Sequence, residues 1–140
     1  MSRSALVPKQ ITIAPSAARA ATASFTSSTY TNPGYKGIKV YLDVTLDPAA
    51  ASITLTLQGK DPLSGDWHTL LASAAVTSVT TGPNVYTIFP GAPVTSNVSA
   101  NTFLPRVWRV IVVGADTDSM TYSISADLLP ERSNPREESQ

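Results

Sequence analysis

Cysteine is absent from the 140 residues, which excludes disulfides, thiolate metal sites and cysteine nucleophiles together. Glutamate is almost as scarce: Glu131, Glu137 and Glu138 all fall within the last ten residues. A paired-carboxylate mechanism in the body of the chain would therefore need two aspartates drawn from turns. Histidine occurs once, as His68, so a histidine pair and a two-histidine facial triad are both impossible. Ten basic and ten acidic residues give a net charge of zero, without the basic excess that nucleic-acid binding normally leaves. No apolar run approaches the ~20 residues needed to cross a bilayer as a helix. The opening residues Met1 to Pro8 lack the apolar segment of a secretory signal. The expectation is a chain that stays soluble in the cell that makes it, with neither membrane nor nucleic acid as partner.

The charges that exist are unevenly placed. Arg3, Lys9 and Arg19 face no acid within the first 35 residues, whereas residues 36–129 carry 5 bases against 7 acids. Charged residues make up only 14% of the chain, and Thr, Ser and Val recur throughout, a balance that favours strand over helix.

The most regular stretch runs from Gly37 to Leu71. Ile38, Val40, Leu42, Val44 and Leu46 alternate with Lys39, Tyr41, Asp43 and Thr45, which gives a strand one buried face and one wet face. The alternation resumes with Ile53, Leu55 and Leu57 against Thr54, Thr56 and Gln58. Asp61-Pro62-Leu63-Ser64-Gly65 is dense in turn formers and returns the chain through Trp67 and His68. Val85 to Phe89 reads as a short strand, and Ala92 to Thr102 as a long uncharged loop. Arg106 to Val113 forms a further strand with Trp108, Val110 and Val112 on one face, and in the last strand Met120, Tyr122, Ile124, Ala126 and Leu128 alternate with polar residues. Turns every 8 to 15 residues point to a single antiparallel β-sandwich of about seven strands, Ig-like or jelly-roll-like, with a small closed barrel as the alternative.

The candidate core is Ile38, Val40, Leu42, Val44, Leu55, Trp67, Trp108, Val110, Tyr122 and Ile124, with Trp67 and Trp108 expected in opposite sheets. A first edge strand is expected near Arg19 to Thr26. Residues 1–16 read as an extended N-terminal arm, 17–129 as the sandwich and 130–140 as a polar, flexible tail. Within the arm, Arg3, Lys9, Ile11 and Ile13 are candidate partner-binding residues, because an isolated strand-like run suits pairing with a neighbour's edge.

Chemistry is harder to find. His68 beside a turn reads as a structural residue with one face exposed. Asp116-Thr117-Asp118 has oxygens for a hard cation but is read instead as a hairpin turn, with aspartates bonding to backbone, and Asp61 and Asp66 are read the same way. No serine sits in a nucleophile elbow and no glycine-rich phosphate loop occurs. No catalytic, metal or cofactor site is expected. Tyr41, Tyr86 and Trp108 with Arg106 and Arg109 have the composition of an aromatic-basic face for sugar or single-stranded nucleic acid. Three residues apart on a strand, however, the two arginines point to opposite sides.

Two stretches, LTLQGKDPLSGDWHTLLASAAV and LPRVWRVIVVGADTDSMTYSISADL, resemble a widespread group of small structural proteins of tailed bacteriophages. The resemblance spans roughly Ala17 to Leu129. It rests most on Gln58-Gly59-Lys60-Asp61-Pro62, Thr69 to Ala74, and Leu104 to Val110. It implies a non-enzymatic virion component on the head shell: a capsid decoration, or cement, protein assembled in the host bacterial cytoplasm. Its partner would be the major capsid protein, with self-association as a trimer. The hairpin ending at Gly65-Asp66-Trp67 also resembles one in discoidin-type carbohydrate-binding sandwiches. Two other functions stay open on these residues: a tail or neck component of the virion, and a carbohydrate-binding module for host-surface attachment.

Overall fold

In the computed structural model, residues 7–20, 24–47, 51–77, 79, 83–114 and 118–130 are described. They form ten strands and no helix: β1 (Lys9–Ala20), β2 (Phe25–Thr26), β3 (Tyr30–Thr31), β4 (Gly37–Leu46), β5 (Ile53–Lys60), β6 (Trp67–Ala72), β7 (Asn84–Ile88), β8 (Ser99–Ala100), β9 (Val107–Gly114) and β10 (Ser119–Leu129). The first sheet has the order β1-β10-β4-β7-β8. The second runs β2-β9-β5-β6, with β3 also paired to β9. Every pairing is antiparallel except β7 with β8. The fold is a β-sandwich with three strands more than the seven expected. The difference comes from the two-residue strands β3 and β8 and from β1 and β2 standing where one edge strand is expected.

The inner faces are those the alternation marks. From β4 come Ile38, Val40, Leu42 and Val44; from β10, Met120, Tyr122, Ile124, Ala126 and Leu128; from β5, Ile53, Leu55 and Leu57; and from β9, Trp108, Val110 and Val112, all buried in one core. Each large aliphatic side chain so buried contributes ~1.5–3 kcal/mol. Tyr30 stacks on Trp108, with ring centroids 4.5 Å apart and planes inclined by 23°. Leu46 breaks the pattern and is 56% exposed. The pairing steps from Val44↔Tyr122 to Leu46↔Thr121, so Thr45 is an extra residue and Leu46 shares a face with the outward Thr121.

Three expectations need correction. Residues 9–16 are not a free arm: they belong to β1, which pairs with β10 along its own sheet. Ile13 is buried, and Ile11 packs against the core. The period-2 signal is hidden here by two register shifts, between Thr12 and Ala14 and between Ala14 and Ala17. Pro15 lies in the second, where a missing N–H is tolerated. The Arg19 guanidinium clamps this irregular stretch by donating to the carbonyls of Pro15 (2.6 Å), Ala17 (3.2 Å) and Tyr122 (2.7 Å). Bulges and proline also blunt an edge strand against pairing with another chain, contrary to the role expected of Ile11 and Ile13.

The edge strand expected over Arg19 to Thr26 is split instead, β1 ending in one sheet and β2 starting in the other. Ser27 repairs the gap between β2 and β3. Its N–H donates to the Val110 carbonyl and its Oγ accepts from the Val110 N–H, both at 2.9 Å. Finally, Trp67 is not a core residue. It lies in the same sheet as Trp108 but on the opposite, outer face, paired across the hairpin with Lys60.

Truncating Trp108 to alanine should cost ~3–5 kcal/mol in urea melts, as large aromatic deletions in packed cores do. Deleting residues 1–15 should lower the melting temperature, because it strips β10 of much of its edge partner and removes Ile13 and Ala14 from the core.

Candidate interaction surface

One end of the sandwich gathers the β5–β6 hairpin, the 101–106 segment and the turn at residues 32–36. Asn32 holds the last two together. Its side-chain Nδ2 donates to the carbonyls of Tyr35 (2.7 Å) and Leu104 (3.0 Å), and its Oδ1 accepts from the N–H groups of Gly34 (3.0 Å) and Tyr35 (2.7 Å). The Asn32 N–H donates to Arg106 O, and Leu104 N–H to Lys36 O. A buried amide with all of its hydrogen bonds made fixes backbone that has no ladder of its own. Leu104 is driven inward to 3% exposure, and its neighbour Phe103 is turned out to 61%.

The hairpin tip is built with similar economy. Asp61 Oδ1 accepts from the N–H groups of Leu63 (2.8 Å) and Ser64 (3.2 Å), Ser64 Oγ accepts from Asp66 N–H, and Asp61 N–H donates to Asp66 O. Gly65 supplies φ of 81°, which a residue with a Cβ adopts only under strain. The turn closes with Leu63 pointing into solvent at 96% exposure. The two backbone N–H groups on Asp61 hold its carboxyl below the usual carboxylate range.

Between tip and loop lies an open groove of about 750 Å³, lined by Leu63, His68, Leu70, Phe103, Pro105 and Val107 among others. The two walls meet at Gly59, where a Cβ would stand 2.6 Å from Pro105 Cγ. Lys60 and Arg106 edge the groove, and Asp61 is the one carboxylate among its lining residues.

Lys60, on the groove's edge, also belongs to a cluster on the outer face of the second sheet. There Arg109 Cζ lies 4.1 Å from the centre of the Trp67 ring, and Arg109 Nε donates to Gln58 Oε1 at 2.8 Å. Lys60 Nζ is 5.7 Å from the same ring. Cation–π contacts at such partly exposed sites are worth ~0.5–1 kcal/mol. The strands of this sheet carry Lys60, His68 and Arg109 and no Asp or Glu.

The aromatic and basic residues weighed above as one face are dispersed. Tyr86 and Trp108 are core residues, and Tyr41 lies across the molecule, donating from its hydroxyl to Asp127 Oδ2 at 2.6 Å. Arg106 precedes β9 and borders the groove, whereas Arg109 lies within β9 against Trp67 and Gln58. Of the partner-binding candidates, Lys9 is exposed at the start of β1, Ile11 and Ile13 serve the core, and Arg3 lies outside the described residues. Asp116 and Thr117 also lie outside them. Among the described residues no three His, Asp or Glu side chains converge in a metal-binding group.

The Trp67, Lys60, Arg109 cluster was missed on sequence. Half of it was accessible: a tight turn from Asp61 to Asp66 places Lys60 opposite Trp67. The rest needs β9 beside β5, a contact between residues about fifty apart in the chain, for which no local signal exists. No protein-family model matches the chain, and no curated protein matches it.

Trp67→Ala should destabilise by only about 1 kcal/mol, well below the Trp108 truncation. Gly59→Ala should cost ~1–3 kcal/mol by overpacking against Pro105. Because the Asp61 pKa is lowered, its stabilising bonds are present above the usual value of 3.8 and are lost only as pH falls through its own lower value. The Leu63 and Ser64 amide resonances should therefore hold their positions down to about pH 4 and move below it.

Proposed function

We propose that the chain is a non-enzymatic structural protein of a tailed-bacteriophage virion. In this reading it is a decoration protein that binds the outside of the major capsid protein shell and stabilises it. The observation that carries the reading is the apolar end of the sandwich, where Leu63 and Phe103 are held in solvent by hydrogen-bonded backbone rather than by flexible loops. Large side chains on a fixed support lose little conformational freedom on docking, which suits attachment to a rigid, repeating surface. The resemblance of the hairpin and of the Leu104 to Val110 stretch to phage structural proteins supplies the choice of partner. Self-association as a trimer belongs to the same proposal, as does a virion location on the capsid surface.

A second reading, glycan binding, gains from finding Trp67 on an outer face instead of in the core. Against it, Arg109 lies over the ring that a sugar would stack on.

The test is the stoichiometry of this chain against the major capsid protein in purified particles. Hundreds of copies per particle are expected. Six to a few dozen would place the protein in the tail or neck, and absence from particles, with binding to host glycans lost in Trp67→Ala, would replace the reading altogether.

A further inference from the structure

The apolar end says where a partner docks, and the charges around it say what kind. The outer face that adjoins the groove holds cations without carboxylates. Arg109 is the most constrained of them. With its Cζ 4.1 Å from the centre of the Trp67 ring and its Nε committed to Gln58, the guanidinium is held in place, while its two Nη groups make no hydrogen bond or ion pair among the described residues. A guanidinium held in this way is a preorganised fork for a carboxylate, because ordering the long side chain has already been met within the fold. Lys60 lies on the same tryptophan and also on the edge of the groove, so it joins the charged face to the apolar one. Arg106 borders the groove from the other wall. Asp61, the groove's one carboxylate, accepts two N–H groups of its own turn.

We infer that this end docks an acidic, apolar-bearing segment of a protein partner. A leucine- or phenylalanine-sized side chain enters between Leu63 and Phe103, and a carboxylate beside it meets the Arg109 fork and Lys60. Buried aromatic and arginine anchors inside a ring of weaker contacts are what concentrate affinity at protein interfaces. A nucleic acid fits less well. Three cations on a chain of zero net charge offer little counterion release, and Arg109 occupies the aromatic surface on which a base would stack. The inference deepens the shell-protein reading and rests on it, with the major capsid protein supplying the segment.

The experiment uses the full chain and shells purified without it, with retention measured by co-sedimentation across a range of protein and salt concentrations. Leu63→Ser with Phe103→Ser, and Lys60→Gln with Arg109→Gln, should each weaken retention at least tenfold. Each variant should keep the wild-type strand spectrum, since none of the four side chains belongs to the core. Lys39→Gln, on the outer face of the first sheet, should bind as wild type. Arg109→Lys, which keeps the charge without the fork, should recover only part of the loss. Wild-type retention should fall with salt, and the charge variant should be nearly salt-independent. Wild-type binding that both double variants match would overturn this inference and leave the shell reading standing. Wild type that fails to bind shells at all would overturn both. Retention of a 20-nucleotide single-stranded DNA through the same residues would also overturn it, in favour of a nucleic-acid surface.

Discussion

The register of β9 ties the interior of this protein to its surface. Paired on one side with β5 and on the other with β2 and β3, it sends Trp108, Val110 and Val112 into the core and Arg109 and Ile111 to the outside. A slip of one residue would exchange the two sets, burying a guanidinium and exposing an indole. The desolvation cost of such an exchange, several kcal/mol for an unpaired charge alone, is why the register is so strongly specified. Trp108 stacked on Tyr30 fixes it from within, and Arg109 on Gln58 and Trp67 marks its outward consequence. The proposed docking chemistry is thus a by-product of how the core is packed.

A second constraint acts at the loops. Backbone with no sheet partner must find its hydrogen bonds elsewhere when buried, and in this sandwich short polar side chains provide them. Ser27 spans the break between β2 and β3, Ser73 extends β6 along β5 by accepting from Leu55 N–H, and Asn32 joins two loops. Asn32 at the 101–106 segment, with Asp61 and Ser64 at the hairpin tip, accounts for how loops without a ladder can present Leu63 and Phe103 rigidly. Ser27, Asn32 and Ser73 are the buried polar residues among those described, and each replaces a piece of missing sheet.

What was legible in the sequence was what obeys a local period. β4, β5, β9 and β10 alternate cleanly, and nine of the ten expected core residues are buried. Where the period fails, so did the reading. β1 carries two register shifts and a proline, so Ile11-Thr12-Ile13 reads as an isolated run in an arm although Ile13 is buried. Leu46 follows an inserted Thr45, which no residue pattern announces. Trp67 is expected in the core, in the sheet opposite Trp108, yet its pairing with Lys60 across a defined turn sets it on the outer face. The candidate surface was less legible than the fold, since it joins Lys60, Trp67 and Arg109 with Leu63 and Phe103 through non-local strand pairing and loop anchoring.

The central claim is that the molecule meets its partner with the hairpin end and the adjoining outer face of the second sheet. Amide hydrogen exchange on the chain bound to shells, compared with the free chain, tests it most directly. The account predicts added protection confined to residues 58–69 and 102–109, with the outer face of the first sheet, around Lys39, Tyr41 and Ser125, unchanged. Protection centred on that first sheet or along the β1 edge, with none at the hairpin, would contradict it.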